Sequence, residues 1–222
     1  MPEKYRYQDE NLEQEKVRLK RDLALLEATK GYSMLSDTQK ELIRITLYLQ
    51  ARAERDMHPE HINDPWYYDW MVKDGSKEAK YQNSLKHIKR WNCHGAIAAL
   101  ERGNLSILED PPENTREFFN AHYAKIKNES EIRAIIETIG YPCVVHVNEE
   151  LGNTYGEETQ WHSFLALGEI SGGKIITWEK IGFELPYRVA FLSNIFFEYD
   201  YAEYWGFRKL RNIGEKKPHS ST

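Results

Sequence analysis

Apolar positions recur along this chain at two spacings, and the change between them divides it. In the first half they fall three to four residues apart. Leu12, Leu19, Leu23 and Leu26 lie on one face of the charged stretch 1 to about 30, which predicts an amphipathic helix laid on a partner surface and ended by Gly31. A second helix is predicted from Ser36, where Ser36-Asp37-Thr38-Gln39 has the form of a capping box and Leu42, Ile45 and Leu49 give the apolar stripe. Thr115 to Ile126, with Phe118, Phe119, Tyr123 and Ile126, reads as another helical face, and Asn128-Glu129-Ser130-Glu131 caps a helix through Ile139 that Gly140 closes. From there the period shortens. Cys143-Val144-Val145-His146-Val147 and Ser163-Phe164-Leu165-Ala166-Leu167 read as strands with a polar loop, Gly152 to Thr159, between them. Gly172-Gly173 turns the second strand into a third, Lys174 to Trp178, as a hairpin. Val189 to Tyr199 is β-prone and aromatic, a fourth strand or a buried helix. Helices first and an antiparallel sheet afterwards define an α+β fold.

The breaks between these elements set the expected domains. Asp64-Pro65-Trp66-Tyr67-Tyr68-Asp69-Trp70 places a proline at a first helical position after an aspartate cap, and its aromatic density marks a core edge or the wall of a groove. Asp74-Gly75-Ser76-Lys77 is a loop. Residues 1–75 are therefore read as a helical N-terminal region packed on the core, 76–213 as the core and 214–222 as a polar tail. The N-terminal helices either cover their own domain or serve self-association.

Composition narrows the function classes. With 222 residues and a net charge of -5 there is material for one well-buried domain, and no basic excess to neutralise phosphates, so nucleic acid is not the expected partner. No apolar run reaches the length of a bilayer span, and Met1-Pro2-Glu3-Lys4-Tyr5 lacks the apolar core of a signal peptide. A cytoplasmic location, or secretion by a signal-independent route, is expected, with no membrane partner. Cys93 and Cys143 are too few for a disulfide framework.

Those two thiols differ in setting. Cys93 stands just before His94-Gly95-Ala96-Ile97-Ala98-Ala99-Leu100, a run of small and apolar helix formers, and a thiol at a helix start is acidified by the peptide dipoles. The competing reading is a packed small hydrophobe. Cys143 follows Pro142 at a strand entrance and reads as structural. His162 opens an apolar strand, and Glu179 closes its hairpin partner, so the turn brings a carboxylate toward an imidazole. Nucleophile, base and orienting acid would then occur in the order Cys93, His162, Glu179. His146, in mid-strand, reads as hydrogen-bonded or solvated. His94 is rotated about 100° from Cys93 around the helix, which speaks against direct pairing. No usual metal-ligand spacing is present; a zinc site from Cys93, His94 and His162 is the weaker alternative, and Asp56-Met57-His58-Pro59-Glu60-His61 reads as a polar loop. No cofactor is called for.

Asn92-Cys93-His94-Gly95-Ala96-Ile97, Ile139-Gly140-Tyr141-Pro142-Cys143-Val144-Val145, Trp161-His162-Ser163-Phe164-Leu165-Ala166-Leu167 and Gly173-Lys174-Ile175-Ile176-Thr177-Trp178-Glu179-Lys180 together resemble the transglutaminase-like branch of the papain-like superfamily. The resemblance covers about residues 90 to 182. It implies a papain-like core, a cysteine-bearing helix packed on an antiparallel sheet, with Cys93 as nucleophile, His162 as general base and Glu179 where the family usually carries Asp. The Asn-Cys-x-Gly opening is also similar to bacterial cell-wall endopeptidases of the papain-like group. Acyl transfer on a peptide or protein amide is the implied activity, as a peptidase, amidase or transglutaminase-like enzyme. Trp91, Asn92, Trp161 and Trp178 are the candidate substrate-binding residues; Trp161 and Trp178 would shield the ion pair from water or pack the sheet. The alternative is a non-catalytic binding or scaffolding protein on the same fold.

Overall fold

The computed structural model describes residues 12–56, 93–103, 121–148, 162–181 and 187–211. Its elements in chain order are α1 (Leu12–Glu27), α2 (Lys30–Ser33), α3 (Asp37–Asp56), α4 (Cys93–Arg102), β1 (His122–Lys125), α5 (Glu129–Ile139), β2 (Cys143–Asn148), β3 (His162–Ile170), β4 (Lys174–Lys180), β5 (Tyr187–Phe191), α6 (Leu192–Glu198) and β6 (Tyr204–Lys209). The strands form one sheet in the order β1-β6-β2-β3-β4-β5, every neighbouring pair antiparallel. Mixed helices on an antiparallel sheet make the fold α+β.

Strand alternation sends side chains to two apolar cores, one on each face of the sheet. Val144, Leu165, Ile176 and Trp178 meet Leu19 and Leu26 of α1, Leu42, Ile43 and Leu47 of α3, and Ala96, Ile97, Ala99 and Leu100 of α4. On the other face Val145, Val147, Phe164, Trp205 and Phe207 meet Ile132 and Ile136 of α5 and Leu192 and Ile195 of α6. Leu19, Leu26, Leu42 and Leu47 of the N-terminal helices thus cover their own sheet.

Local chemistry sets several boundaries. At the start of α3 the Ser36 N–H donates to the Gln39 side-chain oxygen at 3.0 Å and the Gln39 N–H to Ser36 Oγ at 3.2 Å, the reciprocal capping box. Asn128 caps α5 by accepting from the Glu131 N–H at 3.1 Å, and Gly140, at φ 85°, ends it. The β3–β4 hairpin turns through Gly172 and Gly173, both at positive φ. A register shift between Ala166 and Gly168 bulges β3, and α2 docks there: a Cβ on Gly31 would meet the Leu167 carbonyl oxygen at 2.1 Å.

Four expectations are corrected. Gly31 does not end the first helix, which stops at Glu27; it lies inside α2, where it lets the backbone touch the bulge. Residues 122–125, read as part of a helical face from Thr115 to Ile126, form β1 instead, because pairing with β6 outweighs a short helical period; Tyr123 lies over Gly206, whose missing side chain admits the ring. Phe118 and Phe119 lie outside the described residues. Val189 to Tyr199 is neither one strand nor one helix but the junction of β5 and α6. Helices do not all precede the sheet: β1 comes before α5, and α6 falls between β5 and β6.

β6, in a stretch where periodicity predicts no element, runs between β1 and β2, with Trp205 and Phe207 on one face and Arg208 on the other. The aromatic segment 64–70, the loops 74–77 and 152–159, the His58 and His61 cluster, and the tail from 214 lie outside the described residues. Among the described residues, no helix is long and apolar enough to cross a membrane.

Candidate active site

α4 begins at Cys93 and is buried along its length from Cys93 to Glu101, packed against β3 and β4 and also against α3. Its alanines, Ala96, Ala98 and Ala99, let the helix approach the sheet closely, and a helix apolar on all sides belongs in an interior. At its far end Glu101 accepts from both terminal guanidinium nitrogens of Arg208 on β6, from Nη2 at 3.2 Å, and from the Arg211 backbone N–H at 3.1 Å. The helix start, with its partial positive charge, faces the end of the sheet where β3 begins and β4 finishes.

His162 and Glu179 come from the opposite face. Phe164 pairs with Glu179 across the hairpin, so His162, two residues earlier, lies diagonally across from the carboxylate on the same side of the sheet. His162 Nε2 bonds Glu179 Oε2. That leaves Nδ1 as the ring nitrogen for the hydrogen bond His162 makes with the Cys93 thiol. The three positions converge, with the thiol from one layer and the imidazole and acid from the other meeting at the sheet's end.

The electrostatics agree with the geometry. Burial by itself would raise the Cys93 thiol; the attraction of His94 and hydrogen bonds from His162 and His94 outweigh it and hold Cys93 well below the ordinary thiol range. Burial would likewise lower His162, but its hydrogen bonds to Cys93 and Glu179 push it up to about 9. Glu179 is held below the usual carboxylate range against its burial by His162 and Arg188. A thiolate beside an imidazolium is the form in which such a pair reacts.

Several further residues complete the site. Arg188 on β5 donates through Nε to Glu179 Oε1 at 2.5 Å and through Nη2 to Glu198 at 2.6 Å, so both carboxylate oxygens of Glu179 are engaged. The Tyr199 ring stacks on His162, centroids 5.0 Å apart and planes within 10°. Lys180 lies over the Tyr187 ring, and burial pulls its ammonium down to about 8, the Cys93 charge acting in the other direction. His94 Nδ1 and His146 Nδ1 each stand 2.6 Å from Ser163 Oγ. None of these contacts has a local sequence signal except the position of His94 next to Cys93, and there the expectation of no pairing is corrected: the two side chains hydrogen-bond, because the helix start lets both reach the strand end.

Trp178 is placed differently from its candidate role. It is fully buried on the face opposite Glu179, stacked on Tyr187 and donating Nε1–H to Thr46 Oγ1 at 3.2 Å, so it packs α3 to the sheet. Trp91, Asn92 and Trp161 lie outside the described residues. Cys143 is buried at the start of β2, and desolvation pushes its thiol up to about 12. Among the described residues, no group of three or more His, Cys, Asp or Glu side chains is arranged to hold a metal ion. No family model, curated protein or solved structure matches the chain.

Proposed function

We propose that this chain is a cysteine-dependent acyl-transfer enzyme, a peptidase, amidase or transglutaminase-like protein of papain-like architecture. The observation that carries the reading is the continuous contact from Cys93 through His162 to Glu179. A cysteine-bearing helix against an antiparallel sheet, with imidazole and acid on adjacent strands, supports the papain-like assignment.

In the acylation step the Cys93 thiolate attacks the carbonyl carbon of a peptide or protein amide, and the carbonyl electron pair moves onto oxygen, stabilised by backbone N–H groups of the first turn of α4. Collapse expels the amine, which takes the His162 proton, and a thioester remains. His162 then removes a proton from water or from an acceptor amine as that atom attacks the thioester, and the thiolate leaves. Glu179, fixed by Arg188, favours the imidazolium and holds the ring's orientation.

The test is to trap the thioester. Brief exposure to p-nitrophenyl acetate, then peptide mass spectrometry, is expected to find an acetyl group on Cys93 in the parent protein, none at that peptide in Cys93→Ala, and at least about tenfold less in His162→Ala with circular dichroism unchanged. Acetylation spread over surface lysines, with Cys93 unmodified in a folded protein, would instead favour a binding or scaffolding role on this fold.

A further inference from the structure

The Cys93 sulfur has a second imidazole beside it, and that imidazole has supports of its own. His94 hydrogen-bonds the thiol, and its Nδ1 stands 2.6 Å from Ser163 Oγ. The same oxygen stands 2.6 Å from His146 Nδ1. Three elements meet here: α4 supplies His94, β3 supplies Ser163, and β2 supplies His146, directly paired with Ser163 across the ladder. All three side chains are buried.

The hydrogen count constrains this cluster. A serine hydroxyl has one proton to give, so it donates to only one of the two rings, and at least one ring must bring its own Nδ1–H. His146 is held without a second proton, first by burial and then by the charge of Arg208 beside it. An imidazole with one proton can place it on Nδ1 and donate to Ser163. The Ser163 hydroxyl then donates to His94 Nδ1, which places the His94 proton on Nε2. The chain of donors runs His146 to Ser163 to His94, and its last N–H is available to the sulfur. Either direction satisfies the Ser163 hydroxyl as donor and acceptor, but only this one leaves a singly protonated His94 an N–H for the thiolate it hydrogen-bonds.

We propose that His94 is a second catalytic imidazole, touching the reacting sulfur, and that Ser163 and His146 are the positioning residues that fix its tautomer and direction. The inference rests on the acyl-transfer reading and extends it to the deacylation step. As water or an acceptor amine attacks the thioester, its proton goes to His162, the new bond to carbon forms, and the C–S bond breaks with its electron pair remaining on Sγ. At that moment His162 has just been engaged by another group. The His94 N–H stabilises the departing thiolate by hydrogen bonding and transfers nothing, so no further proton or co-reactant is needed.

The experiment follows the rate of Cys93 carbamidomethylation by iodoacetamide from pH 4 to 9, read at the Cys93 peptide by mass spectrometry. In Ser163→Ala, an almost isosteric change, the acid limb of the profile should move up by about one pH unit, a roughly tenfold loss of labelling in the acid range. His146→Ala, which removes the donor to Ser163, should move the limb in the same direction as Ser163→Ala, and His146→Asn, which keeps a donor near the place of Nδ1, should move it less. Ring-nitrogen NMR of the parent protein should find the His94 proton on Nε2. A Ser163→Ala profile that superimposes on the parent, or a His94 ring protonated on Nδ1 alone, overturns the proposal, and the second measurement needs no variant to fold. Labelling of parent Cys93 no faster than Cys143 would remove the acyl-transfer reading itself. Fast parent labelling, slowed in His162→Ala but not in Ser163→Ala, rejects only the second imidazole.

Discussion

Cys93 and Cys143 are nearly equally hidden from solvent, 6% and 0% exposed, yet their thiols are driven in opposite directions. Cys143 opens β2 among apolar side chains of one core, its Sγ 3.6 Å from the Val144 carbonyl oxygen, and burial there meets little resistance from the backbone hydrogen bond and charge of Arg208. Cys93 has the same desolvation to overcome and overcomes it, because two imidazoles converge on the sulfur and a helix start lies behind it. Burial therefore does not distinguish a structural thiol from a reactive one. The charges and donors that share its enclosure do, and within such an enclosure they act through a low dielectric that strengthens them.

The most direct way to break this contrast is competitive alkylation. At pH 7 a thiol with a pKa near 12 is thiolate only to about one part in 10⁵, and even after allowing for the lower intrinsic nucleophilicity of a more acidic thiolate, Cys93 should label on the order of 100-fold faster than Cys143. Comparable rates would erase the distinction. A smaller effect sharpens its cause. With His162 pushed up to about 9, the imidazolium persists through neutral pH and is lost as the pH rises past that value, so turnover of an amide should decline there for want of a proton to give the leaving amine. Glu179→Gln removes a negative partner of the imidazolium, so this alkaline limb should move to lower pH and neutral labelling of Cys93 should fall roughly 10- to 30-fold; an unmoved limb would show that Glu179 does not set the state of His162. The smallest effect concerns the other thiol. Cys143→Ala should cost about 1–2 kcal/mol in chemical denaturation, through a lost buried sulfur, and leave Cys93 acylation within about twofold.

What could be read from the chain beforehand follows the range of the interactions. The capping box at Ser36 and Gln39, the Asn128 cap, the Gly140 stop and the Gly172-Gly173 turn are each written in four adjacent residues or fewer, and each forms as its pattern predicts. The hairpin carries part of that legibility into the site: the turn pairs the two strands, but the bulge between Ala166 and Gly168, which no local pattern announces, shifts the register by the one residue that puts Glu179 on the face of His162. The pairing of β1 with β6 joins residues some eighty positions apart, and no local pattern announces such a contact. The same holds for Ser163 between two histidines from different elements, and for Arg188, whose role depends on β5 lying next to β4. The β5–α6 junction was obscured for a different reason: its aromatic and branched residues suit either state, and only the sheet edge decides where the strand stops.

The Glu101–Arg208 pair has a geometric consequence for the sulfur at the other end of the same helix. Cys93 and Glu101 are eight positions apart, so they stand about 12 Å from each other along a stiff rod and a little over two turns around it. With the far end anchored to β6, gaining or losing a single residue between them would swing the sulfur through about 100° and shift it about 1.5 Å along the axis. The count of residues in that span is therefore as much a part of the chemistry as the cysteine itself.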